Sequence, residues 1–169
     1  MDFFTFLFAD DTTLQDSDCD LTRLTSRCNS NLKIASRWFQ ANRLTLNAKK
    51  TKCMVFGPNG NSNPLPFPLK IQGTNIERIG NRFSTKFFKL VGVKLDDQLN
   101  WSEHSNYVSG KVAKANYGLA RAKKILPTDL KLMVYNSLIK CHLDYCLSIW
   151  GDCCSSNKRG LLKLQKKLQ

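Results

Sequence analysis

The sequence predicts a mixed α+β protein, with short antiparallel strands and one packed amphipathic helix first and an all-helical stretch after. Three observations carry this. The apolar run Phe3-Phe4-Thr5-Phe6-Leu7-Phe8 ends in the acidic pair Asp10-Asp11. Apolar residues recur at three- and four-residue steps from Leu21 to about Ala41. From about Ser102 the period becomes helical and stays so. At 169 residues and 42% hydrophobic, the chain can bury one core or two small ones. The change of period divides it into residues 1–101 and 102–169.

The first apolar run reads as a buried strand, because it is rich in β-favouring residues and has no polar alternation. Thr12-Thr13-Leu14 returns as a second strand, which puts Asp10 and Asp11 at or beside a hairpin turn. Ser17-Asp18-Cys19-Asp20 is a helix start, with a Ser or Asp cap and acid in the first turn. The stripe Leu21, Leu24, Cys28, Leu32, Ala35 and Trp38 or Phe39 follows, while Arg23, Arg27, Lys33 and Arg37 lie mostly off it.

Beyond Leu44-Thr45-Leu46-Asn47, the basic run Lys49-Lys50-Thr51-Lys52 leads into the short apolar strand Cys53-Met54-Val55-Phe56. Residues 57–68 hold four of the five prolines together with Gly and Asn, so they form a loop. Strand-like pieces resume at Leu69-Lys70-Ile71 and at residues 87–93, followed by Asp96-Asp97 and Trp101. Val108, Val112, Ala115, Leu119 and Leu126 make one helical stripe. After Pro127-Thr128-Asp129, Leu130, Val134, Leu138, Cys141 and Tyr145 make another. Leu161, Leu164 or Gln165, and Leu168 begin a third.

Charge is sharply divided. Residues 1–20 carry six Asp and no Lys or Arg, whereas all 26 Lys and Arg and the other seven acids follow. Carboxylates next to a buried strand need a compensating cation, and a divalent metal would supply it. An acidic focus on a strongly basic body suits a polyanion held by the body, with nucleic acid the natural candidate. No apolar stretch reaches the ~18 residues of a spanning helix, and Asp2 replaces the basic start of a signal peptide. The seven cysteines are odd in number and lack disulfide-framework spacing, so they read as reduced thiols of an intracellular protein, cytoplasmic or nuclear. Cys141, His142, Cys146, Cys153 and Cys154 lack zinc-module spacing, and no zinc site is expected.

In this order the motifs resemble a known family. Phe8-Ala9-Asp10-Asp11-Thr12-Thr13-Leu14, then Trp38-Phe39 and Asn42 ahead of residues 44–52, looks like the reverse transcriptase of non-LTR retrotransposons, the jockey-like group. Residues 88–96 with Leu99-Asn100-Trp101 are similar to that family's primer-grip hairpin. Tyr135-Asn136-Ser137-Leu138 through Leu143-Asp144-Tyr145-Cys146 to Trp150-Gly151 resembles its thumb. The resemblance implies a partial polymerase palm followed by a helical thumb. It makes Asp10 the holder of catalytic Mg²⁺ or Mn²⁺, with Asp11 in a supporting role. Lys50, or a neighbour such as Lys52, would lie near the incoming deoxynucleotide, and Leu90, Val91, Gly92 and Val93 would position the primer end on an RNA template.

Template-directed nucleotidyl transfer also asks for these residue types. It uses two metal ions ~3.5–4 Å apart, and hard ions take carboxylate oxygens. The family pattern places a further Asp and the fingers upstream of the hairpin, and these have no counterpart here. The expectation is therefore a palm and thumb fragment, inactive alone, that needs the upstream polymerase segment. The rival reading is a non-catalytic basic nucleic-acid-binding module in which the acidic pair is inert and the lysines are an ordinary solvated run.

Overall fold

The computed structural model describes residues 3–57, 64–122 and 125–166. The chain forms two compact units, Met1–Ser84 and Thr85–Gln169. The helical period begins at Ser102 as expected, but the compact units divide earlier, so the hairpin before it belongs with the helices.

In the first unit, β1 (Phe4–Phe8) and β2 (Asp11–Gln15) pair antiparallel with Phe8 opposite Asp11, leaving Ala9-Asp10 as a two-residue loop. Ala9 takes a φ of +52°, in the left-handed region that loops of this length commonly require. The strand is where the sequence puts it, but it is not buried. Phe4, Phe6 and Phe8 are 55–73% exposed on one face and Leu7 is 71% exposed on the other. A strand apolar on both faces needs cover on both, and among the described residues this sheet has two strands and no more.

Helix α1 (Leu21–Ala41) starts at Asp20, whose carboxylate accepts the Thr22 N–H at 2.9 Å. It ends in a Schellman turn: Leu44 N donates to the Phe39 carbonyl at 2.8 Å and Arg43 N to that of Gln40 at 3.0 Å, with Arg43 at φ +58°. Its fully buried positions are the small or polar Thr25, Asn31 and Ser36, while Trp38 at the end of the stripe stays exposed. Asn29 clasps the next segment by donating to the Pro68 carbonyl at 3.2 Å and accepting the Lys70 N–H at 3.1 Å. Through this clasp α1 packs on β4 (Lys70–Ile71), which forms a tight hairpin with β5 (Thr74–Asn75). Strand β3 (Lys52–Met54) pairs in parallel with β6 (Glu77–Ile79), a long-range partnership across the Pro-rich loop. Leu69, Ile71 and Ile79 form the buried apolar centre of this unit. Residues 64–68 carry no regular element, as expected of the loop; its residues 58–63 lie outside the described residues.

The second unit opens with the antiparallel hairpin β7 (Phe88–Leu90) and β8 (Val93–Leu95). Helices α2 (Ser102–Ala122), α3 (Thr128–Tyr135), α4 (Cys141–Asp144), α5 (Leu147–Trp150) and α6 (Ser155–Lys166) follow, with one π-helical turn, Asn136–Lys140, between α3 and α4. Val108, Val112, Ile139, Trp150 and Leu161 are its core, with Ala115, Leu119 and Leu164 packed against them. The first helical stripe is as expected from Val108 to Leu119, but Leu126 falls beyond the end of α2 and is not part of the core cluster. Of the third, Leu161 and Leu164 are in place, and Leu168 lies outside the described residues.

The second stripe is out of phase. Leu130, Leu138, Cys141 and Tyr145 are exposed and Val134 is half-buried, whereas Tyr135, Ile139, Leu143 and Cys146 face the core. The shift is already present in α3, before the π turn: Leu130 is exposed there and Tyr135 packs on the core, and the steps from Tyr135 to Ile139, Leu143 and Cys146 keep a helical spacing. The chain then breaks at Cys146, φ +53°, before α5.

Candidate functional site

The twin carboxylates sit at the hairpin end. Asp10 is the second loop residue and Asp11 the first of β2, and both are exposed. The left-handed Ala9 beside them costs about 1 kcal/mol that glycine would not incur. Strain of this kind gathers at functional turns. Among the described residues, no group of three His, Cys, Asp or Glu side chains is placed to hold a metal ion. Mg²⁺ characteristically takes one or two protein carboxylates and completes its shell with water and substrate phosphate. The donor chemistry of Asp10 and Asp11 therefore fits part of a metal site.

Asp16 and Asp18 are differently employed. Asp16 receives both ends of the Arg27 guanidinium, Nη2 at 2.7 Å and Nε at 2.8 Å, and Asp18 receives Arg27 Nη1 at 3.2 Å and Arg23 Nη2 at 3.0 Å. The hydrogen bonds from Arg27 hold the Asp16 carboxyl below its ordinary 3.8, and the Asp20 backbone N–H does the same for Asp18. Arg27 and Arg23 come off the solvent side of α1, one turn apart, to reach back. What reads as one acidic focus is thus a neutralised cluster at the start of α1 and a separate exposed pair at the hairpin.

Lys50 lies on an exposed turn built by Asn47, whose side-chain oxygen accepts the Lys50 N–H at 3.1 Å and whose carbonyl accepts the Thr51 N–H at 3.0 Å. Lys52 opens β3 and forms an ion pair with Glu77, its neighbour across the parallel ladder. Of the two lysines, Lys50 presents its ammonium to solvent and Lys52 is held by a carboxylate.

In the second unit, Leu90, Val91, Gly92 and Val93 form one tight turn. Val91 at φ +44° and Gly92 at φ +85° are its two central residues. Two successive positive φ values match the turn whose twist suits a two-residue hairpin. A β-branched residue in that conformation is a genuine outlier. Tyr145 secures it: its hydroxyl donates to the Val91 carbonyl at 2.7 Å, and a Cβ at Gly92 would meet the Tyr145 ring at 3.3 Å. Glycine is thus required at 92 both for its φ and for the close ring. Nothing in the sequence pattern pairs Tyr145 with this turn, because the two are 54 residues apart.

Below the hairpin, Asp96 is fully buried. Its carboxylate accepts the N–H groups of Gln98, Asn100 and Trp101 at 3.1–3.2 Å and so fixes the approach to α2. His104 is buried too, its Nδ1 accepting the Lys94 N–H at 3.3 Å and its ring edge-on to Trp150 at 5.2 Å. Burial holds its pKa below 6.5, and the Lys94 charge adds to that. It is a packing residue.

All seven cysteines carry free thiols. No protein-family model, no curated protein and no solved structure matches the chain. The fold itself defines a mixed α+β protein of small sheets and helices, and among the described residues no helix is long and apolar enough to cross a membrane.

Proposed function

We propose that the chain is palm and thumb of an RNA-directed DNA polymerase of the non-LTR retrotransposon kind, catalytically incomplete by itself. The observation that carries the proposal is the exposed Asp10-Asp11 pair on a strained two-residue loop, at the end of a strand that is apolar on both faces. The order of the downstream motifs adds to it. Asp10 would hold a divalent ion, and Asp11 would add negative charge next to it. When bound, Mg²⁺ or Mn²⁺ would activate a primer 3′-hydroxyl and neutralise the departing diphosphate. Lys50 would meet nucleotide phosphate, and the Val91-Gly92 turn would set the primer end. RNA template, DNA primer and deoxynucleotides are the corresponding partners.

Mn²⁺ titration of the isotope-labelled chain tests this by paramagnetic broadening. The expected result is selective loss of the amide signals of residues 9–12, stronger with a deoxynucleotide present and abolished in Asp10→Ala. Equal broadening in wild type and Asp10→Ala rejects the metal role. That result would select the rival, a non-catalytic nucleic-acid-binding module. If the proposal holds, supplying fingers with an upstream Asp restores primer extension, and Asp10→Ala removes it again.

A further inference from the structure

Lys89 and Lys94 stand directly opposite each other across the β7–β8 ladder. Like charges at that position destabilise a hairpin unless an anion shares them. Lys94 Nζ lies 4.1 Å from the centre of the Phe87 ring and 5.0 Å from that of Tyr107, a half-buried aromatic of α2 that packs against the core. The charge therefore rests on aromatic faces.

The pattern continues along the helix. Lys111 Nζ lies 5.8 Å from the same Tyr107 ring. Lys114 follows at three residues, and Tyr117 and Arg121 at three and four more; Lys111, Lys114, Tyr117 and Arg121 are all exposed, whereas Val108 and Val112 are buried. Tyr117 is 65% exposed. Arg121 lies 5.7 Å from its ring centre and donates to its hydroxyl at 3.3 Å, which holds the ring against the helix with one face open. The single acid of α2 is Glu103, in its first turn. Ten residues from Tyr107 to Tyr117 span about 15 Å.

We infer that this stripe is a binding track for single-stranded nucleic acid, with phosphates on Lys89, Lys94, Lys111 and Lys114 and an unstacked base on Tyr117. Cations alternating with an open aromatic ring suit a chain that carries a phosphate and a π-face in every repeat. A duplex would offer the phosphates but keep its bases stacked away from the tyrosine. The track lies within the second unit and does not depend on Asp10.

Fluorescence anisotropy of the full chain with a labelled oligouridylate tests it, alongside duplex DNA and phosphatidylserine vesicles. Single-stranded binding is expected, tighter than duplex binding, and about tenfold weaker in Tyr117→Ala but retained in Tyr117→Phe, since base stacking on an aromatic is worth one to three kcal/mol, roughly. Lys111→Gln and Lys114→Gln should each lower the slope of log affinity on log salt by ~0.7. Lys140→Gln should leave it unchanged, and so should Asp10→Ala, which separates this inference from the metal proposal. Unaltered affinity in Tyr117→Ala overturns it. So does a preference for duplex, or vesicle binding lost in the same lysine variants, which would assign the face to a membrane surface.

Discussion

Leu138 and Ile139 are neighbours with opposite fates, and their truncation tests the packing of the second unit. The stripe read from Leu130 and Val134 puts Leu138 on the buried face. The structure instead leaves Leu138 51% exposed and Ile139 at 0%. Ile139→Ala removes three buried carbons, worth about 2.4 kcal/mol at ~0.8 per methylene. A residual cavity of up to about 70 Å³ adds up to about 1.7 kcal/mol at ~24 cal/mol per Å³, so the loss should be about 3–4 kcal/mol. Leu138→Ala should cost ~0.5 kcal/mol or less. Urea unfolding followed by tryptophan fluorescence in a Trp38→Phe background reports on this unit, because Trp101 and Trp150 both pack on its core. With a urea slope of ~1 kcal/mol per molar, Ile139→Ala would lower the midpoint by ~3 M and would unfold a marginal domain. Ile139→Val, at about 1 kcal/mol, keeps the comparison measurable. A larger loss for Leu138→Ala than for either Ile139 variant would refute the phase shift.

Four further outcomes are expected. Gly92→Ala should destabilise the second unit by about 1–2 kcal/mol and disturb the Tyr145 ring signals. Val91→Gly should relieve about 1 kcal/mol of strain, less the added freedom of glycine in the unfolded chain. The same urea titration gives both signs. Because folding holds the His104 pKa below 6.5, the unfolded state takes up the proton first as the solution is acidified. The His104 contribution to stability is thus complete above about pH 6.5 and declines below it. Unfolding midpoints measured from pH 7.5 downward should show this slope, and it should flatten in His104→Phe. In the first unit, Asp16 contributes stability above its ordinary 3.8, and this is lost as pH falls through the lower folded value. Arg27→Lys cannot reproduce the two-pronged contact, so acid loss of the α1 amide signals should move to higher pH.

Local chemistry made much of this molecule legible. The Asp10-Asp11 hairpin, the Asp20 cap, the length of α1 and the Val108 to Leu119 stripe depend on neighbours within a turn or two, and sequence spacing reports such neighbours directly. The strand-like run at residues 87–93 proves to be a hairpin that folds back at Val91-Gly92. The candidate site was legible as residue types in order; the partner that secures its hairpin, Tyr145, was not.

Tertiary structure decided the rest because it turns on contacts that no period encodes. The parallel pairing of β3 with β6 brings Glu77 to Lys52 and removes that lysine from the free cations, although the two lie 25 residues apart. The recruitment of Arg27 by Asp16 splits the acidic start of the chain into a neutralised cluster and an exposed pair. The packing of α3 and the turn after it against α2 puts Ile139 rather than Leu138 in the core. The apolar β1 is the converse case: its composition fixes a strand, but burial needs a second surface to lie against, and that is a property of the assembled fold.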